Sequence, residues 1–151
     1  MISQTASRVS SNTDPCINER IRLKTQRNLD YHRNHPEQID LRLRELDAEW
    51  DVERMLETGA STLTLTGLLL GITRNRKWLL LSLAVQGFFM QHALQGWCPP
   101  LPVLRRLGFR TQYEIEQERY ALKVLRGDFR NIPAEASEPN HADEILNAVT
   151  H

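Results

Sequence analysis

The sequence predicts an all-α fold: an integral membrane two-helix hairpin with flanking amphipathic cytoplasmic helices. Three observations carry this expectation. Between Ala60 and Trp97 the chain holds two uncharged apolar stretches, split by one basic knot, Thr73-Arg-Asn-Arg-Lys77. The second stretch has a tryptophan at each end. Outside the two stretches, apolar residues recur at helical spacing among charged ones. The mean hydropathy of the whole chain is negative, which hides the apolar segments in the average.

The second stretch, 78–97, reads WLLLSLAVQGFFMQHALQGW. A helix of about 20 residues is about 30 Å long, the thickness of a bilayer's hydrocarbon core. Indole rings favour the headgroup level, so Trp78 and Trp97 mark two membrane interfaces. The alternative is a long core helix in a soluble bundle, but the rest of the chain has little apolar material to bury it. The first stretch, 58–72, is shorter and carries Thr58, Ser61, Thr62, Thr64 and Thr66. Hydroxyls are tolerated in lipid when they bond back to helix carbonyls. Starting at Met55 gives it adequate length, with Glu57 near the headgroups; a re-entrant or interfacial segment is the alternative.

The short connection forces an antiparallel turn. It gathers Arg74, Arg76 and Lys77 at one surface, against Arg42, Arg44, Arg54, Arg105, Arg106 and Arg110 on the flanks. Lys and Arg near the ends of spans favour the cytoplasmic side, so six against three places both termini there.

The flanks divide the chain into a flexible tail (1–16), a cytoplasmic helical segment (17–54), the hairpin (55–98), a C-terminal amphipathic region (99–130) and a flexible acidic tail (131–151). The first fifteen residues are rich in Ser and Thr with no apolar core, so no secretory signal is expected and the hairpin itself directs insertion. In the second segment, Ile39, Leu43, Leu46 and Trp50 form one helical stripe, with Trp50 expected to dip into the membrane surface. Pro99 is expected to end the second span. Thr111 and Glu114 form a T-x-x-E capping box for a last helix running to about Arg126 and stopping at Gly127. Its apolar side is Ile115, Leu122, Leu125 and Phe129, with Glu116, Glu118, Arg119 and Lys123 mostly solvated. The acidic tail holds Pro133 and Pro139 and is expected to add at most one helical turn at 144–148.

The 151 residues carry 19 basic and 19 acidic side chains. A net charge of zero gives no basis for nucleic-acid binding. Gly67-Leu-Leu-Leu-Gly71 is a GxxxG pattern, in which small residues let helix backbones approach closely. Ala60, Thr64, Gly67 and Gly71 share one face of the first span. Ala84, Gly87 and Gln91 make a small, polar face on the second. Packing inside the hairpin and a homodimer face are the two uses open to them. Gln86, Gln91, His92 and Gln95 need polar partners in lipid. Neither apolar stretch holds a second histidine, so no cofactor or metal is assigned to His92. Cys98 is a candidate reactive thiol, far in sequence from Cys16 and without a CxxC or Cys/His zinc spacing. Sulfur transfer or redox sensing there needs a lowered pKa. No GxSxG, HExxH, P-loop or dinucleotide fingerprint occurs. The chain is therefore expected not to be an enzyme.

The Gly-rich first span, the turn at 73–77 and the ending Gly96-Trp97-Cys98-Pro99 resemble the YgaP-like family, small inner-membrane two-helix domains of unknown function. The likeness covers about residues 53–107. It implies a bacterial inner (plasma) membrane location and helix-packed dimers. Some members of the family are fused to a rhodanese, but this chain has no His-Cys-x-x-Gly-x-Arg loop, so catalytic sulfur transfer does not carry over. The expected role is that of a structural, accessory or self-associating membrane anchor. Its partners are the lipid bilayer and either a second copy or a larger membrane complex. The alternatives are a sulfur-carrying or redox-sensing protein using Cys98, and a soluble helical bundle.

Overall fold

A computed structural model describes residues 6–130, and the acidic tail expected at 131–151 lies outside them. The fold is all-α, with no strand among the described residues. Among the described residues seven helices follow one another: α1 (Arg8–Ser11), α2 (Pro15–Asn34), α3 (Ile39–Ala48), α4 (Val52–Thr73), α5 (Leu79–Gln95), α6 (Leu101–Leu107) and α7 (Gln112–Arg126). Short 3₁₀ turns stand at Pro36–Gln38 and Arg76–Trp78. The chain divides into two compact units: one takes the chain up to Leu23 with Trp50–Tyr113, the other Lys24–Glu49 with the chain from Glu114.

In the first unit, α4 begins where Asp51 accepts a hydrogen bond from the Arg54 backbone N–H at 2.6 Å, an aspartate N-cap. The backbone N–H of Val52 donates to the Arg110 carbonyl at 2.9 Å, tying this start to the segment before α7. Val52 is fully buried with Val9, Leu56, Cys98 and Leu101, and Phe89, Leu104 and Phe109 pack against them. Val9 corrects one expectation. The chain from Arg8 is not a tail: Arg8 Nη1 donates to the Ala93 carbonyl at 3.2 Å, and Asn12 Nδ2 to the Gln95 carbonyl at 2.9 Å. Arg105 pins the same region from α6, donating to Thr13 Oγ1, Asn18 Oδ1 and the Phe109 carbonyl at 3.2, 2.9 and 3.0 Å.

The two apolar helices differ from expectation in length. The first stretch is the longer helix, with 22 residues in α4; α5 has 17, about 25 Å. The reason is Gly96. It adopts φ +75°, and its N–H closes the last turn on the His92 carbonyl at 2.7 Å. A left-handed residue ends a helix, and glycine takes that conformation at little cost. The stop therefore comes at Gly96 and not at Pro99. On α4, Thr62, Thr66 and Thr73 return their hydroxyls to the carbonyls of Thr58, Thr62 and Leu69 at 2.7–2.8 Å.

In the second unit, Ile39, Leu43 and Leu46 of α3 pack with Ile115 and Leu122 of α7, and Leu29 of α2 joins them. The fourth residue of the expected stripe, Trp50, falls beyond the end of α3. Glu118, expected to be solvated, is fully buried, and its Oε1 accepts from Arg42 Nε at 2.9 Å and Asn28 Nδ2 at 3.1 Å. Lys123 is buried as well. Arg119 pairs with Glu116 and Asp47, and Arg126 with Asp40 and Asp128, around the edge of this core.

Candidate functional site

The surface that departs most from ordinary globular behaviour is that of α4 and α5. Neither helix has a charged residue from Thr58 to Thr73 or from Leu79 to Gln95. One helical stretch, within Pro36–Thr73, is long and apolar enough to cross a membrane, and only 17% of its apolar window is buried. Leu65, Leu69 and Ile72 on α4 are 60%, 63% and 81% exposed, and Leu80, Leu83 and Met90 on α5 are 66%, 71% and 64% exposed.

The two helices run antiparallel through a polar and small-residue seam. Ser82 Oγ donates to the Thr64 carbonyl at 3.0 Å, and Gln86 Nε2 donates to Thr64 Oγ1 at 2.9 Å. Gly67 and Gly71 are buried in this seam. A Cβ on Gly67 would stand 2.5 Å from Ser82 Oγ and 3.1 Å from the Trp78 carbonyl; one on Gly71 would stand 2.5 Å from Leu79 Cδ2. Ala60 lies further along the same α4 face. On α5 the expected face is not the one used. Ala84 and Gly87 are exposed, and a Cβ on Gly87 would meet nothing within 4 Å. Gln91, half-buried, lies with them by helical spacing. The seam takes Leu79, Ser82 and Gln86 because the Ser82 hydroxyl and the Gln86 amide both bond to Thr64, which small size alone does not achieve.

At the far end of the pair, α4, α5 and the segment leading into α6 enclose an apolar cavity of about 340 Å³. Its walls are Met55, Leu56, Gly59, Ala60 and Leu63 of α4, Val85, Phe88 and Phe89 of α5, then Cys98, Pro99, Pro100 and Leu104. Burial pushes the Cys98 thiol above its ordinary pKa, only partly offset by a hydrogen bond with the Leu101 backbone. This is the reverse of what a reactive thiolate needs. Cys16 is exposed.

A polar group that the sequence did not announce surrounds the end of α5. His92 is 3% exposed, and both of its ring nitrogens are buried without a hydrogen-bond partner among the described residues. Arg8 Nε and Glu53 Oε2 are buried in the same way. No group of three or more His, Cys, Asp or Glu among the described residues could hold a metal ion.

Trp50, Trp78 and Trp97 are 41%, 44% and 37% exposed, and the Arg54 guanidinium sits 4.5 Å from the Trp50 ring centroid, a cation–π contact. Trp78 stands at the turn end of the pair and Trp97 one residue beyond the stop at Gly96. The flanking cations need recounting. Arg105 and Arg110 are buried, and Arg42 is committed to Glu118 and Glu45. Of the six flanking arginines, only Arg44, Arg54 and Arg106 are exposed, equal in number to Arg74, Arg76 and Lys77 of the turn. Charge alone therefore assigns no side of a membrane. No known protein family, curated protein or solved structure matches this chain.

Proposed function

We propose that the chain is a non-enzymatic integral membrane protein of a bacterial inner (plasma) membrane. In this reading α4 and α5 form a transmembrane hairpin, and the chain serves as a self-associating or accessory anchor. The observation that carries the reading is the apolar surface of the pair: from Thr58 on in α4 and throughout α5, most large side chains point away from the protein with no charge among them. In water such a surface is a severe liability, whereas lipid covers it without cost. The lengths of both helices, 22 and 17 residues, fall within the ~17–25 that span a bilayer. Thr64, Ser82 and Gln86 satisfy one another inside the pair, as polar groups in hydrocarbon must. A hairpin puts both termini on one side.

Self-association is proposed through the open face at Ala84, Gly87 and Gln91, because Gly67 and Gly71 already meet α5 of the same chain. A soluble bundle does not account for the exposed apolar faces, and sulfur chemistry at Cys98 is disfavoured by its burial. The test is alkaline carbonate extraction of membranes followed by crosslinking in mild detergent. The chain is expected in the membrane pellet, and Gly87→Ile is expected to reduce the crosslinked dimer. Release into the supernatant would overturn the membrane reading. Retention with an unchanged dimer would overturn the Gly87 face alone.

A further inference from the structure

The apolar cavity at the junction of α4, α5 and the segment before α6 has a use beyond packing. It measures about 340 Å³. A closed apolar cavity of about 150 Å³ already admits a benzene, and this one is larger and open along the side lined by Gly59, Leu63 and Phe88. Cys98 and Met55 each supply a sulfur atom; otherwise the walls are hydrocarbon, aromatic ring and backbone. The space is kept open by the smallest residues available. A Cβ on Gly59 would meet nothing within 4 Å, and Ala60 follows it along the wall.

The rim points to the occupant. Leu63 and Phe88 line the cavity and are also 49% and 45% exposed, so the opening continues into the apolar faces of the pair. If those faces lie in lipid, the cavity opens where acyl chains are. Arg54, next in sequence to the wall residue Met55, keeps an exposed guanidinium against Trp50 at the end of the pair where the chain enters α4. That cation complements a phosphate. We propose that the cavity holds one acyl chain of a membrane phospholipid whose headgroup phosphate lies near Arg54. The proposal rests on the membrane reading above.

The experiment uses the full chain in vesicles of phosphatidylglycerol and phosphatidylcholine, doped with phosphatidylcholine carrying a photoreactive diazirine in mid-chain. Adducts are mapped by peptide mass spectrometry. Any embedded helix acquires adducts on its outer belt, at positions such as Leu69 and Leu83. An occupied cavity adds adducts at buried positions, above all Cys98, which is only 3% exposed. Gly59→Leu fills the cavity from a position with open space around it, and is expected to cut the Cys98 adduct several-fold while the belt adducts persist. Belt adducts without any at Cys98, or a Cys98 adduct that Gly59→Leu leaves unchanged, would overturn the proposal and leave the membrane reading standing. Absence of adducts everywhere would sink the membrane reading itself.

Discussion

Adding one methyl group at Gly67 measures how closely α4 and α5 approach. In Gly67→Ala the new Cβ lands 2.5 Å from Ser82 Oγ, 3.1 Å from the Trp78 carbonyl oxygen and 3.2 Å from the Ser82 backbone nitrogen. The hydroxyl could rotate aside, but it would then give up its bond to the Thr64 carbonyl. The other two atoms are backbone and move only if the helices separate. Overpacking of this kind costs about 1–3 kcal/mol. Alanine also gains about 1 kcal/mol over glycine in a helix interior. Gly59→Ala provides the reference on the same helix, since its Cβ meets nothing within 4 Å. The propensity gain is common to both variants and cancels, so Gly67→Ala should be less stable than Gly59→Ala by about 1–3 kcal/mol. The assay is denaturant unfolding in mild detergent, followed by circular dichroism. Equal stability of the two variants would refute the close approach. Gly71→Ala should fall between them, because its nearest neighbour is the tip of Leu79, a half-exposed side chain that can swing away.

Two other outcomes follow from the same packing. Glu118→Ala should destabilise the unit built on α3 and α7 by about 3–5 kcal/mol, since it removes the buried acceptor of Arg42 and Asn28; a loss under 1 kcal/mol in thermal unfolding would contradict a buried ion pair there. In thiol-labelling titrations, Cys16 should react readily while Cys98 reacts slowly and only at a pH above that of an ordinary thiol; equal rates would mean that Cys98 is not buried.

The helical class and the uncharged character of α4 and α5 were legible because absence of charge needs no partner to be read. The glycine stop at Gly127 was legible too, with φ of +95°, since it follows a periodic segment. Gly96 was hidden because it lies inside an uncharged stretch, between Gln95 and Trp97, and the prolines downstream looked like the stronger signal. On α4, glycine spacing identified the packing face. On α5 it misdirected: Ala84 and Gly87 are smaller than Ser82 and Gln86, but only the latter two complete the hydrogen bonding of Thr64. The burial of Glu118 depends on donors 76 and 90 residues away in sequence, which no local pattern encodes. The docking of Arg8 on the end of α5 is hidden for the same reason, its acceptor Ala93 lying 85 residues on.

The position of Val9 among Val52, Leu56, Cys98 and Leu101 sets an order on folding as the chain is made. Helix α1 can complete this set of neighbours only after the chain through Leu101 has emerged. The α4–α5 pair, whose Thr64–Ser82 bond closes over 18 residues, needs no such wait. Loop closure over the longer span costs more entropy and slows the step. The apolar pair therefore assembles first, and the N-terminal segment docks late, as the closing event on a surface that the pair has already prepared.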